Sequence, residues 1–484
     1  MTLRRLRIAA LALLALVTGR SYGQSTEPSD DQRSLTIYQI MVASFLHGEG
    51  GAPGYTAMWG PDGHTKNGNL RGVIEALDHI KSLGANAIWL TPIFDSTKAG
   101  GGEKLQATGY FTNDFFKVDP NFGTEEDFRE FVDEAHKRGM YVILDGVFGH
   151  HGGVTAPSPT GHMLDTTRVE SDRPDGGTGN IKYPESLPYI KEVATYWMDR
   201  YGVDGWRLDQ AYQAMQGGHN YWLDIRKAVE ETAAARKARG EQWGTLGYMV
   251  GEDWGPAARV NVGVYRDGGL LSAFDFEGKE LISGPMQELT SAGLENGWDD
   301  VRTVLSRPRV RGYLNATVIP NLYLTNHDGY RVADHLDPAD PLFYRQLMTR
   351  NAILAAYNGP ITLYYGDEYA DLSRDTEGGQ KDNIARTSGH LDPRTPGEKE
   401  LKNYIGRIMK FRRDNPAMWR GEAAFKRFHT PSGADVLEVV KTDPQTGNKV
   451  RLVFSTADET LVYPAEGGHS IAVRAWEPYF ERIN

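Results

Sequence analysis

Arg207 and Asp209 close the stretch Gly202-Val203-Asp204-Gly205-Trp206-Arg207-Leu208-Asp209. In an extended strand, side chains i and i+2 leave the same face, so this spacing sets a guanidinium beside a carboxylate. A neighbouring cation favours the ionised carboxyl, and an ionised, positioned carboxylate can act as a nucleophile. A salt-bridged pair with no chemistry fits these two residues equally well in isolation. What separates the two readings is whether other strands deliver acids and imidazoles to the same place.

From Leu35 onward, short apolar runs alternate with amphipathic helical patterns, the signature of β/α units on a parallel sheet. Eight strands are expected, at Thr36 to Val42, Ala87 to Leu90, Tyr141 to Leu144, Gly205 to Leu208, Tyr248 to Gly251, Ala273 to Phe276, Asn321 to Leu324 and Ile361 to Tyr365. Leu70, Val73, Ile74, Leu77 and Ile80 keep helical spacing, as do Phe128, Phe131, Val132 and Ala135. Thr124 with Asp127 makes a capping-box-like start to the second of these helices, and Gly139 a stop. Further helices are expected near 184–200, 219–238, 277–290, 342–357 and 398–413. The fold class this implies is α/β, a (β/α)8 TIM barrel enlarged by insertions, with a doubly wound open sheet as the alternative.

His150 to Tyr183 is rich in Gly, Pro, Ser, Thr and Asp and reads as an enlarged loop or subdomain over the C-terminal face of the barrel. After Pro416 the pattern becomes the alternation of antiparallel strands, at Ala434 to Thr442, Lys449 to Phe454 and Ser470 to Ala475. The expected organisation is a leader over 1–23, a linker over 24–34, the barrel over 35–416 with 150–183 inserted, and a C-terminal β-domain over 417–484.

Barrel active sites collect at the C-terminal ends of strands. Asp145 and His150 follow the third strand, Arg207 and Asp209 the fourth, Glu252 and Asp253 the fifth, and Asn326, His327 and Asp328 the seventh. One acid at a strand end is commonly a cap or loop anchor, but four strands supplying one mouth point to a site. Two facing carboxyls with a third nearby suit glycoside hydrolysis, one as nucleophile and another as proton donor to the leaving oxygen. Arg207 is expected to keep Asp209 ionised. Glu252, after the apolar Tyr248-Met249-Val250 run and among anions, is expected to hold its proton.

In this order, Asp145-Gly146-Val147-Phe148-Gly149-His150, Gly205-Trp206-Arg207-Leu208-Asp209, Gly251-Glu252 and Asn326-His327-Asp328 resemble the four short motifs of the α-amylase family, glycoside hydrolase family 13. Ile37-Tyr38-Gln39, Ala87-Ile88-Trp89-Leu90-Thr91-Pro92, Gly109-Tyr110, Asp114 to Gly123 and Tyr365-Gly366-Asp367-Glu368 add to the resemblance, which spans about residues 35 to 414. It implies a retaining enzyme acting on α-glucosidic bonds. Asp209 is then the nucleophile, Glu252 the general acid/base and Asp328 the stabiliser of the distorted sugar and oxocarbenium-like transition state. His150 and His327 hydrogen-bond the sugar at the cleavage point, Tyr110 stacks on it, Arg207 positions Asp209, and Asp145 supports Arg207. Hydrolysis and transglycosylation share this triad, and a non-catalytic carbohydrate-binding relative is disfavoured by its being intact.

Many members of that family carry Asn before the first-motif histidine, where it helps bind calcium. Here the position is Gly149, with no side-chain oxygen, whereas calcium takes roughly six to eight oxygen ligands. The Asp62 to Asn69 loop matches a second calcium site of the family only loosely. No cofactor is therefore expected, and calcium is weakly supported. Gln210-Ala211-Tyr212-Gln213 lacks the Lys-His pair of many endo-acting amylases, which leaves small, branched or cyclic glucans open as substrates. Phe148, Trp254 and Tyr330 flank motif residues as either sugar platforms or loop packing.

The chain has 484 residues, 40% hydrophobic and 24% charged, an ordinary soluble composition. Arg4, Arg5 and Arg7 before the apolar run Ile8 to Val17, then small residues to Gly23, read as a secretory leader, so a periplasmic or secreted location is expected. The four arginines of 1–23, with no acids there, leave −15 of formal charge on the remainder, against −11 for the whole. Such acidity disfavours nucleic acid as a partner. With no cysteine, disulfides and thiolate chemistry are excluded.

Overall fold

The computed structural model describes residues 30–60, 66–153, 156–168, 179–374, 383–457, 460–464 and 470–483. The expected leader lies outside these. Eight parallel strands form one sheet: β1 (Thr36–Ile40), β2 (Ala87–Leu90), β3 (Tyr141–Gly146), β4 (Gly205–Leu208), β5 (Tyr248–Gly251), β6 (Ser272–Ala273), β7 (Leu322–Tyr323) and β8 (Ile361–Tyr364). β8 pairs with both β7 and β1, and a parallel bridge between Phe274 and Asn321 joins the β6 and β7 segments, so the sheet closes on itself. This is the expected barrel rather than the open alternative.

Period-two burial explains why these residues make a barrel. Ile37, Ala87, Trp89, Tyr141, Ile143, Tyr248 and Val250 cluster together as an interior plug, while Tyr38, Ile88, Val142, Trp206 and Met249 belong to the core under the surrounding helices. Continuing the inward series one step past each apolar run reaches Asp145, Arg207 and Glu252. The site is thus the polar top layer of a barrel whose lower layers are apolar.

The helix Glu125–Lys137 starts on a full capping box: Thr124 Oγ1 accepts from Asp127 N at 3.0 Å, and Thr124 N donates to Asp127 Oδ2 at 2.9 Å. Replacing Thr124 by Ala is expected to cost about 1 kcal/mol, read as a lower urea midpoint at unchanged slope. The apolar spacing from Leu70 yields two short helices, Leu70–Glu75 and Leu77–Ser82, in place of one. The helix expected to 290 ends at Ser283, because Gly284 adopts φ 79° and Pro285 follows. β6 is shorter than expected because Asp275 leaves the strand to cap that helix, accepting from Gly278 N at 2.9 Å.

Within 150–183, His150–His151, Thr166–Arg168 and Gly179–Ile181 form a small three-stranded sheet. Beyond the barrel, β9 (Glu422–His429), β10 (Asp435–Thr442), β11 (Lys449–Ser455) and β12 (Tyr479–Ile483) form an antiparallel sheet in chain order. It is anchored to the barrel by the buried Lys441, whose Nζ donates to Asn358 Oδ1 at 2.8 Å and to the carbonyls of Ala356 and Met418.

Candidate active site

Sheet register builds the centre. Asp145 on β3 lies beside Arg207 on β4, which lies beside Val250 on β5. Arg207 is fully buried and is held by three carboxylates: Nη1 lies 2.9 Å from Asp145 Oδ1 and 2.9 Å from Asp209 Oδ1, and Nη2 lies 2.9 Å from Glu252 Oε2. The Trp89 and Tyr110 rings flank the guanidinium at 5.2 and 5.7 Å. Asp145 is itself fixed by Trp89 Nε1 (3.1 Å) and Tyr110 Oη (2.9 Å), and burial pushes its carboxyl up to about 6. Asp145 thus pairs directly with Arg207.

Glu252 accepts from Arg207, from the Gln210 backbone N–H (3.0 Å, Oε2) and from Trp254 Nε1 (3.0 Å, Oε1). Gln210 sits in the left-handed region (φ 40°, ψ 53°), an unfavourable conformation for a side-chain-bearing residue, and so aims its N–H at Glu252. Asp209 differs: Oδ1 is held by Arg207, whereas Oδ2 is buried with no hydrogen-bond partner among the described residues. His150 Nε2 stands 3.8 Å from it. One oxygen is anchored and the other is bare.

His327 accepts at Nδ1 from Gln39 Nε2 (2.8 Å), which leaves the proton on Nε2 to donate to Tyr110 Oη (2.8 Å). Burial, then Arg386 and Arg207, hold this imidazole well below its ordinary pKa, so it is neutral. Tyr110 stacks on His327, ring centroids 5.3 Å apart. Asp328 N–H donates to Asn326 Oδ1 (3.0 Å), and the Asp328 carboxylate receives Arg386 Nη2 on Oδ1 (2.9 Å) and faces His327 Nε2 across 3.1 Å on Oδ2. Asp253 turns away to pair with Arg259 at 2.7 Å.

The expectation that Arg207 keeps Asp209 ionised is corrected. Burial pushes the Asp209 carboxyl well up, and Glu252, Asp145 and Asp328 push the same way against Arg207. The physical reasons are burial first and sharing second: one guanidinium serves three carboxyls, a fact invisible in a two-residue spacing. With Asp328 included, four carboxyls face two guanidiniums, a ratio that disfavours full ionisation of the cluster.

Phe148 is not a sugar platform. It is fully buried against Trp206 and Trp222, because it points into the helix-facing core. Trp254 is 39% exposed beside Glu252, and Tyr330 meets His335 edge-on at 6.2 Å. Three contributors escaped sequence reasoning. Gln39 and Gln210 lie inside or beside quoted motifs, but nothing in the residue spacing around Arg386 marks it.

The family's calcium positions fit this chain poorly. A β-carbon built on Gly149 runs into the Gln213 side chain, whose Oε1 instead accepts from His150 Nδ1 at 3.0 Å. At the second position, Asn69 Oδ1 already accepts from Gly48 N (3.0 Å) and Gly72 N (2.8 Å), and its amide nitrogen donates to Ala52 O (2.8 Å). The Gln213 and Asn69 oxygens are thus engaged inside the protein, while Asp62 to Thr65 of the second loop lie outside the described residues.

A closed barrel with a buried carboxylate cluster at its C-terminal mouth defines a catalytic class of site. The catalytic-domain family of alpha amylase matches residues 39–158 and 180–419, and the chain belongs to that family. It is 31% identical over 239 residues to a cyclomaltodextrinase from Bacillus sp, covering 44% of this chain and 41% of that protein. It is 32% identical over 238 residues to an intracellular maltogenic amylase of Bacillus subtilis (strain 168), covering 44% of this chain and 38% of that protein. The alignments thus span about two fifths of these relatives' length. A crystal structure of AmyP in complex with maltose superposes with a TM-score of 0.76 at 31% identity, covering 93% of this chain and 96% of that one.

These relatives correct one expectation. Export to the periplasm or medium, read from residues 1–23, is overturned by the similarity to an intracellular enzyme. A basic, then apolar, stretch is a local compositional signal with no link to the folded site. No described helix is long and apolar enough to cross a membrane.

Proposed function

We propose that this protein is a retaining glycosidase that hydrolyses α-glucosidic bonds in α-glucans, malto-oligosaccharides or cyclic oligosaccharides through a covalent glycosyl-enzyme intermediate. The observation that carries this reading is the pairing of Asp209 and Glu252 on one guanidinium, with Asp209 Oδ2 left bare. Sharing Arg207 favours the close carboxyl spacing of retaining enzymes, roughly 5–5.5 Å, over the wider gap that admits a water in inverting ones.

Glu252 gives its proton to the glycosidic oxygen as Asp209 Oδ2 bonds to the anomeric carbon, and the C–O bond to the leaving sugar breaks. Glu252, now a carboxylate, takes a proton from water. The resulting hydroxide-like oxygen displaces Asp209 from the anomeric carbon, which restores both residues. Asp328 faces the developing positive charge. His150 and the neutral His327 supply hydroxyl contacts, and Tyr110 a ring wall. AmyP, the structural relative, binds maltose, which supports an oligosaccharide in this mouth.

Incubation with maltose to maltoheptaose, pullulan, isomalto-oligosaccharides, sucrose, trehalose and cyclodextrins tests the reading. Cleavage of at least one α-glucoside is expected, and inertness toward all of them contradicts it. Transglycosylation has one specific support: the exposed Trp254 face next to Glu252 offers an acceptor sugar a stacking surface. Products longer than the substrate would establish it.

We also propose that activity needs no calcium, because Gln213 and Asn69 consume the oxygens and space that the ion requires. Chelator is expected to leave the thermal midpoint and the rate unchanged. A fall in either that calcium reverses contradicts this.

A further inference from the structure

Arg386 lies outside every motif that marks the site, yet it is buried and reaches Asp328. Its guanidinium is used in three directions: Nη2 to Asp328 Oδ1 (2.9 Å), Nη1 to Trp59 O (3.1 Å) and Nε to His327 O (3.2 Å). It therefore ties the β7 loop to the wall that carries Trp59. The segment bearing it is fixed in turn. Arg331 Nη2 donates to Ala385 O (3.1 Å) and Thr387 Oγ1 (2.9 Å), while Tyr364 Oη donates to Ala385 O (3.1 Å) and Tyr365 Oη to Thr387 O (2.6 Å). A buried cation braced on both sides of its own backbone is a costly arrangement to maintain for one loop contact.

We infer that Arg386 is a positioning residue for the reaction: it fixes the orientation of Asp328 and supplies the second positive charge that lets Asp328 stay ionised beside the other carboxyls. This rests on the glycosidase reading above and adds to it a residue outside the motifs. The groups facing Asp328 are His327 on its own loop, Arg207 from β4, and Arg386, with Asp209, Tyr110 and Tyr323 farther round the mouth. His327 is neutral and Arg207 is shared three ways, so Arg386 is the cation committed to Asp328. Burial pushes the Asp328 carboxyl up, and Arg386 is the largest influence in the opposite direction.

The test compares Arg386→Gln, which keeps size but loses charge, with Arg386→Lys, which keeps charge but loses the three-way grip. For Arg386→Gln, kcat is expected to fall on the order of 10²-fold with little change in KM. Because loss of the cation lets the Asp328 pKa rise, the acid limb of kcat/KM moves to higher pH. Arg386→Lys is expected to keep the wild-type limb and lose part of kcat. A folded Arg386→Gln with wild-type kcat and limb overturns the inference, as do Gln and Lys variants with the same limb. If Arg386→Gln does not fold, Arg386→Lys decides: wild-type kcat in it overturns the positioning role, and a lowered kcat at an unmoved limb supports it. An inactive wild-type protein overturns the glycosidase reading itself, whereas an active wild type with unaffected variants overturns only the role of Arg386.

Discussion

The Asp209→Ala protein is expected to fold, to bind maltotriose, and to cleave α-glucosides on the order of 10⁴-fold or more slowly than wild type. The size follows from the geometry: Asp209 Oδ2 is the one carboxylate oxygen of the three proposed catalytic acids that is buried without a hydrogen bond among the described residues. Its removal takes away the atom that bonds to carbon, which no neighbour replaces. Asp145 and Glu252 remain to hold Arg207, so the fold survives. Circular dichroism and calorimetric binding of maltotriose separate lost chemistry from lost structure. The wild-type pH profile carries a matching signature. Asp209 must be ionised to attack, and burial raises its pKa in the folded protein, so kcat/KM falls as pH drops through that raised value. The acid limb is expected above the ~3.9 of an ordinary aspartate. A limb at or below that value contradicts the burial argument.

Glu252→Gln is expected to lose roughly 10²- to 10⁴-fold in kcat on malto-oligosaccharides. The loss shrinks sharply on α-glucosyl fluoride, whose leaving group needs no proton. That contrast identifies an acid rather than a general packing defect. In the same variant the second step also lacks its base, so a small anionic nucleophile such as azide is expected to restore turnover with the fluoride and to give a glucosyl azide. A uniform loss on both substrates, with no effect of azide, assigns Glu252 to structure. Some destabilisation accompanies the change, because an amide –NH2 in place of Oε2 faces the donors Arg207 Nη2 and Gln210 N–H.

Much of this was legible in the sequence because a parallel barrel converts chain order into position. β2, β4 and β5 run over the residues expected, and Asp145 near the end of β3 and Asp209 and Glu252 just past β4 and β5 meet at Arg207. Spacing alone could not reveal that Arg207 is divided among three carboxyls, since that depends on the register between strands. Nor could it show which way a flanking ring turns: Phe148 goes into the core and Trp254 toward solvent, although both adjoin motif residues. Arg386 was invisible because its contacts lie 58 and 327 residues away along the chain. β9 was missed because its residues are partly or wholly exposed on both faces and carry charges, which leaves no apolar alternation to read.

The covalent intermediate gives the most direct test. Wild-type protein reacted with a fluorinated α-glucosyl fluoride, which forms the glycosyl-enzyme readily but releases it slowly, is digested and its peptides are weighed. The glycosyl mass is expected on the peptide containing Asp209, and it is absent after Asp209→Ala. A label on a peptide lacking Asp209, or products of inverted anomeric configuration with no label at all, contradicts a retaining mechanism through this residue.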